Sequence, residues 1–309
     1  MRAAILDQHP IPAFGTFREP RSGEGQELVK VTVAGLNPID ITLAKSRSAG
    51  AGGEPVVPGR EGVGYVRGRR VYFSSASTVF GSMAEYSVAA SARLIDVPTE
   101  IADEDAVAMG IAGLAAWLSL SNAARLERGE HVLVLGASGA VGRLAVQAAI
   151  ALGCGHVIAA SRSAQGVRKA MDSGAHAAVC LDEAEDLSER LREAAAGRLD
   201  VIVDPIWGPF AVEALKVASD GARLIQIGSS SASNVSFDPA FMRLGRKKIV
   251  GFASSTVSAA ERSQAFLELC RRRVAGEMQL DVETIPLSSI TQAWERQASF
   301  PQRKLVISV

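Results

Sequence analysis

Hydrophobic and polar positions follow two regimes along this chain. Residues 1–98 carry short apolar runs at 3–6, 28–33, 62–66, 70–73 and 84–88, broken by Gly and Pro and without a helical period, which predicts short strands. Arg67-Gly68 joins two of these runs so directly that a tight hairpin follows, with Gly68 at positive φ. From Ile101 the pattern turns helical. Asp103-Glu-Asp105 puts acid into a first turn, where the helix dipole favours it, and Met109, Leu114, Trp117, Leu118 and Leu120 follow. Gly110 and Gly113 divide that stretch into two helical pieces.

Val132 to Leu135 form an apolar run suited to a strand buried on both faces, and it ends in a loop carrying Gly136, Gly139 and Gly142. Val141, Leu144, Ala145, Ala148 and Leu152 then recur at helical spacing until Gly153. Glycines between a strand and a helix N-terminus make a phosphate cradle: Gly136 for the tight turn, Gly139 for close approach of the backbone to a pyrophosphate, Gly142 for helix–strand packing. Ser138, Ala140 and Val141 complete the contact set of that loop.

Beyond Gly153 strands and helices alternate: 156–160, 165–171, 177–180, 187–196, 199–204, 210–218, 223–228 and a last strand at 248–252. This alternation predicts a doubly wound parallel sheet. After Ser254 it stops. Ser258-Ala-Ala-Glu261 and Ser289-Ile-Thr-Gln292 read as two capping boxes opening amphipathic helices, and 304–308 as a final strand. A nucleotide domain over 121–253 therefore lies within a domain built from 1–120 and 254–309.

Composition narrows the function. Lys+Arg and Asp+Glu balance at 33 each, so no long-range field favours nucleic acid or an acidic membrane surface. The Arg271-Arg-Arg273 triplet reads as the solvated end of a helix. Cys154, Cys180 and Cys270 are widely spaced and fall in no CxxC pair, which suits a reducing, cytoplasmic setting. No apolar run reads as long and pure enough to span a bilayer.

Two chemical questions follow. NAD-specific domains of this kind hold the ribose 2′-OH with an acid at the end of the second strand, yet here stand Ser161-Arg162-Ser163, a hydroxyl and a guanidinium suited to a 2′-phosphate. NADPH is the expected cofactor. A catalytic zinc needs three protein ligands, but the first 153 residues hold no Cys and only His9 and His131, so no metal site is expected.

Segments 34–40, 57–64, 68–72, 84–86, 116–120, 134–142, 145–147 and 304–306 together resemble the medium-chain dehydrogenase/reductase superfamily, in its zinc-free NADPH:quinone oxidoreductase branch. The resemblance implies a Rossmann domain inserted in a β-rich GroES-like catalytic domain. It also implies a homodimer and reduction of a small quinone or enone by hydride transfer in the interdomain cleft. It places Gly228 and Ser229 beside the nicotinamide ribose, Phe252 and Ala253 beside the nicotinamide, and Lys304 at the cofactor. Asn37 and Asp40 become the polar residues facing the substrate, Asn37 as an amide donor to a developing oxyanion and Asp40 as that or as a turn or helix-cap residue. The chain departs from the family pattern at Thr42 and Ala115, where a tyrosine and a threonine are usual, and in its short 66–70 connection. Enoyl-thioester reduction, and NADPH binding without turnover, stand as alternatives.

Overall fold

The structure, a computed structural model, describes residues 1–49, 53–75, 77–182 and 186–309. The chain divides into two compact units, one of Met1–Ile111, Ala259–Gly276 and Leu280–Val309, the other of Ala112–Ser258 with Glu277–Gln279. The boundaries thus fall at 111/112 and 258/259, against 120/121 and 253/254 from the residue pattern.

The first unit begins with strands β1 (Arg2–Ile5), β2 (Ala13–Thr16) and β3 (Gln26–Gly35), helix α1 (Pro38–Ala49), and strands β4 (Glu61–Val66), β5 (Arg69–Ser74), β6 (Tyr86–Ala90) and β7 (Ile95–Asp96). The hairpin between β4 and β5 has two residues, Arg67 at φ 50° and Gly68 at φ 84°, the left-handed pair that matches strand twist. Helix α1 lies in a region that reads as strand throughout. Only Asp40, Ile41 and Ala44 of its residues are buried, so its apolar stripe is too thin to show as a period.

After α2 (Asp103–Ala108), Gly110 leaves helical geometry at φ −67°, ψ −118°, and the chain resumes as α3 (Leu114–Leu118). The helical stretch Asp103–Ala124 is long and apolar enough to cross a membrane by length and composition, contrary to the expectation that no such run exists; 67% of its apolar window is buried within the protein, as a core helix requires.

The second unit holds β8 (His131–Leu135), α4 (Ala140–Ala151), β9 (His156–Ser161), α5 (Ala164–Asp172), β10 (Ala177–Cys180), α6 (Leu187–Ala194), β11 (Val201–Asp204), α7 (Pro209–Val217), β12 (Arg223–Gln226), α8 (Ala240–Leu244) and β13 (Lys248–Gly251). The six strands pair in parallel in the order β10-β9-β8-β11-β12-β13, the doubly wound arrangement. The β8 core, Val132 to Leu135, is fully buried, as an apolar run covered on both faces must be. At its other end His131 sets Nδ1 3.1 Å from both Ala195 O and Arg198 O.

The chain then returns to the first unit through α9 (Ala259–Val274), β14 (Val282–Pro286), α10 (Ile290–Ala298) and β15 (Lys304–Ser308). Its seven-stranded sheet runs β14-β15-β3-β4-β5-β7, with β6 on β3. The basic triplet ends α9, where Arg271 and Arg272 meet Glu268 and Arg273 meets Asp105. The second capping box does not form. Ser289 belongs to a 3-10 turn, at φ −104°, ψ 22°, and its side chain makes no cap bond because that backbone is already coiled rather than extended. Trp294 of α10 is 1% exposed, and its indole N–H donates to Pro10 O at 2.9 Å.

Candidate functional site

The nucleotide cradle is built by the end of β8 and the start of α4. Gly136 sits at φ 62°, and a Cβ on Gly142 would lie 2.3 Å from Gly136 O, so turn and helix fit only with glycine at both positions. Gly139 is unobstructed, since an added Cβ would make only an ordinary contact with Gly136 O at 3.6 Å. Gly139 is also the N-cap of α4, and no side chain caps that end. The amides of Ala140, Val141 and Gly142 are the first N–H groups of a twelve-residue helix, with the positive end of its dipole. An anion is their natural partner.

Ser161 closes β9, but its hydroxyl is 2% exposed and donates to Ser138 Oγ at 3.0 Å. The two serines therefore brace each other beneath the loop. Arg162 is different. It is exposed, and its backbone carbonyl accepts from Cys180 Sγ at 3.6 Å. Its guanidinium carries no carboxylate partner among the described residues. Ser163 is occupied as the N-cap of α5, accepting from Gly166 N at 3.1 Å.

Farther along, Gly228 O accepts from Gln226 Nε2 at 2.8 Å while Ser229 is exposed. Phe252 is half-buried and its N–H donates to Gln226 O at 2.9 Å. Ala253 is exposed, and its carbonyl accepts from Thr256 Oγ1 at 2.8 Å. Asp204, at the end of β11, is fully buried. Its Oδ1 accepts the amides of Ile206 and Trp207 at 3.0 and 2.7 Å, its Oδ2 has no partner, and burial pushes its carboxyl up to about 6.

In the first unit the structure brings Asn37, Asp40 and Lys304 together around a residue that sequence reasoning left without a role, Glu61. Its carboxylate is fully buried and accepts four bonds, from Asn37 Nδ2 at 2.8 Å, Lys304 Nζ at 3.2 Å, Tyr72 Oη at 2.9 Å and the Ile111 amide at 2.6 Å. The non-helical break at Gly110 makes room for it, since a Cβ there would lie 2.2 Å from Glu61 Oε2. Desolvation first, and then the Glu61 charge, push the Tyr72 hydroxyl well above its ordinary range, so it stays a donor. A carboxylate opening the otherwise apolar, glycine-containing strand 61–66 was the available signal.

Lys304 corrects an expectation. Its three donors go to Leu36 O at 3.3 Å, Asn37 Oδ1 at 2.6 Å and Glu61 Oε1 at 3.2 Å, and it is 2% exposed, so no donor is left for a cofactor. Its effect falls on Asn37. With Lys304 on the amide oxygen and Glu61 on one amide hydrogen, the Asn37 side chain cannot flip, and the direction of its second N–H is set. Asp40 Oδ2 accepts the Asn37 backbone N–H at 2.8 Å as a turn-closing cap; its Oδ1 is buried without a partner, and burial pushes the acid up to about 7. Tyr65, the other tyrosine of β4 and β5, is 42% exposed and outside the network. Among the described residues no group of three or more His, Cys, Asp or Glu is placed to hold a metal ion.

A doubly wound sheet with an open glycine cradle, encoded within a β-rich unit whose polar residues converge on one buried carboxylate, defines a two-domain dehydrogenase class. Comparison with known proteins narrows it. Residues 140–272 match the family described as zinc-binding dehydrogenase. The quinone oxidoreductase of Lama guanicoe is 30% identical over 223 residues, 68% of this chain and 66% of that one, so the chain spans about two thirds of the relative's length. The quinone oxidoreductase of Thermus thermophilus, solved also with NADPH, is 26% identical with a TM-score of 0.81, and that of Escherichia coli complexed with NADPH is 22% identical with a TM-score of 0.87, each covering 100% of both chains. The chain belongs to the medium-chain dehydrogenase/reductase superfamily, in its quinone oxidoreductase family.

Proposed function

We propose that this protein is a zinc-independent, NADPH-dependent reductase of quinones or α,β-unsaturated carbonyls, acting as a homodimer in the reducing cytoplasm. The uncapped α4 N-terminus behind the open Gly139 face carries the reading, because it offers free amides where a pyrophosphate needs them. Arg162 supports the second phosphate of NADPH, as an exposed cation with no competing carboxylate among the described residues. Gly136, Ser138, Gly139, Ala140, Val141 and Gly142 hold the pyrophosphate, with Ser161 acting through Ser138. Gly228, Ser229, Phe252 and Ala253 flank the ribose and nicotinamide. When bound, the nicotinamide supplies the hydride.

Asn37 is the proposed catalytic residue, its locked second amide N–H polarising the substrate oxygen as negative charge builds there. Lys304, Glu61 and Asp40 are positioning residues: they fix the amide and the backbone that carries it. The phenolate left by quinone reduction has a conjugate acid near ~10, so water protonates it without a tuned general acid. Zinc independence is supported by the donor set around Asn37, which offers an amide, an ammonium and a carboxylate already filled by four donors.

The test is loss of NADPH absorbance with a panel of quinones, enones and enoyl thioesters, repeated with NADH and after chelation. Turnover of quinones or enones with NADPH, unchanged by chelation, is expected. Binding of NADPH without oxidation by any acceptor overturns the enzymatic reading, and turnover restricted to enoyl thioesters moves the substrate class.

A further inference from the structure

The first unit contains a charged cavity away from the Asn37 network. It has a volume of about 260 Å³ and is lined by Arg93, Leu94, Ala259, Ala260, Arg262 and Ser263 among others. Arg262 is only 6% exposed, yet no carboxylate pairs with it among the described residues. Its Nη2 donates to Ser74 Oγ at a long 3.3 Å, and its Nε has no partner. Glu61, the buried carboxylate bonded to Tyr72, already accepts four donors, from Asn37, Lys304, Tyr72 and Ile111. A buried cation without a counter-charge is costly, and an anion delivered from solvent removes that cost.

Three further features at the same cavity favour a negative ligand. Arg93 is exposed and has no ion-pair partner among the described residues. Ala259 and Ala260 open the sixteen-residue helix α9 and bring the positive end of its dipole to the cavity. Ser263 adds a hydroxyl one position after the buried arginine. The acids nearest in sequence are engaged: Asp96 holds Arg69 at 2.7 Å, and Glu261 has a partner of its own.

We propose that this cavity is an oxyanion site, formed by Arg93, Arg262, Ser263 and the start of α9, which takes a phosphate as inorganic phosphate or as a phosphomonoester. Two guanidinium groups and a helix end match a phosphate dianion in charge. The site owes nothing to the nucleotide cradle, which lies in the other unit.

Full-length protein is titrated with inorganic phosphate, and separately with glycerol phosphate, at constant ionic strength, reading thermal shift and phosphorus NMR line width. Wild type is compared with Arg93→Glu, Arg262→Gln and, as a control for the cradle, Arg162→Ala. Saturable binding is expected in wild type and Arg162→Ala. Removing one charge-assisted contact should weaken it on the order of ten- to a hundred-fold in the other two variants. Because Arg93 is exposed, Arg93→Glu remains informative where Arg262→Gln fails to fold. Binding of both probes supports the site with a phosphomonoester as ligand, and binding of inorganic phosphate alone supports it with the free anion. Affinity unchanged in Arg93→Glu, lost in Arg162→Ala, or absent in wild type overturns the proposal.

Discussion

Replacing Asp40 by Asn should stabilise the protein at alkaline pH and do far less in acid. Asp40 is 3% exposed, one of its oxygens accepts the Asn37 amide, and the other has no partner. Burial, only partly offset by that amide and by Lys304, raises the acid from 3.8 to about 7. The folded state therefore holds the proton more tightly than the unfolded chain does. No penalty exists below the unfolded value; it grows as pH rises from about 4 and is complete above about 7. With about 1.4 kcal/mol per pKa unit, the full penalty is about 4 kcal/mol, of which under half is present at pH 5. Asn keeps the acceptor for Asn37 and never ionises. Urea unfolding at pH 5 and pH 8, followed by circular dichroism and extrapolated to water, should show the gap between variant and wild type widening by about 2.5 kcal/mol between the two pH values. Asp204, raised to about 6 by its own burial, leaves the variant a residual slope of the same sign. A gap equal at both pH values would refute the reasoning, because it would mean that Asp40 titrates alike folded and unfolded.

Other outcomes follow from the same geometry. Arg162→Ala should raise the KM for NADPH by roughly ten- to a hundred-fold with little change for NADH, as loss of a charge-assisted phosphate contact requires; equal effects on both cofactors would remove its assignment. Gly142→Ala drives a Cβ to 2.3 Å from Gly136 O and should abolish nucleotide binding measured by cofactor fluorescence, together with a loss of stability. Glu61→Gln leaves the Lys304 ammonium buried without its counter-charge and should cost about 3–5 kcal/mol in urea unfolding, whereas Tyr72→Phe, which removes one donor, should cost about 1–2. At pH 8 in the native protein, Cys154 and Cys270, pushed up to about 11 and about 12 by burial, should label slowly with a thiol reagent until the chain is unfolded, as mass spectrometry of the adducts will report.

What could be read in advance separates along physical lines. The second unit was legible because a parallel sheet covered on both faces needs continuous apolar strands, and 132–135, 157–160 and 201–203 are such runs. The Arg67-Gly68 hairpin was legible because two residues leave the backbone no other route. Helix α1, strand β14 and short α8 were not. Each buries too few side chains for a period to emerge, and β14 exists through its parallel pairing with β15, a partner some twenty residues later. Ser289 shows the opposite failure, a correct cap signature beside a backbone that a 3-10 turn had already claimed.

The site divides in the same way. The cradle is local: strand, glycines and helix are contiguous, so spacing alone specifies which amides are free. The Asn37 environment is assembled from residues 36–40, β4, β5, β15 and the Gly110 break, which lie far apart in the sequence. Spacing names candidates there but cannot say which of them face a ligand. Lys304 is the instructive case, because a lysine among family-like residues suggested a cofactor contact, whereas its three donors are used inside the first unit. Its removal should then act on catalysis through the Asn37 amide: Lys304→Met should lower kcat with a small change in cofactor KM. A large rise in cofactor KM at constant kcat would restore the cofactor contact and remove the lock on Asn37.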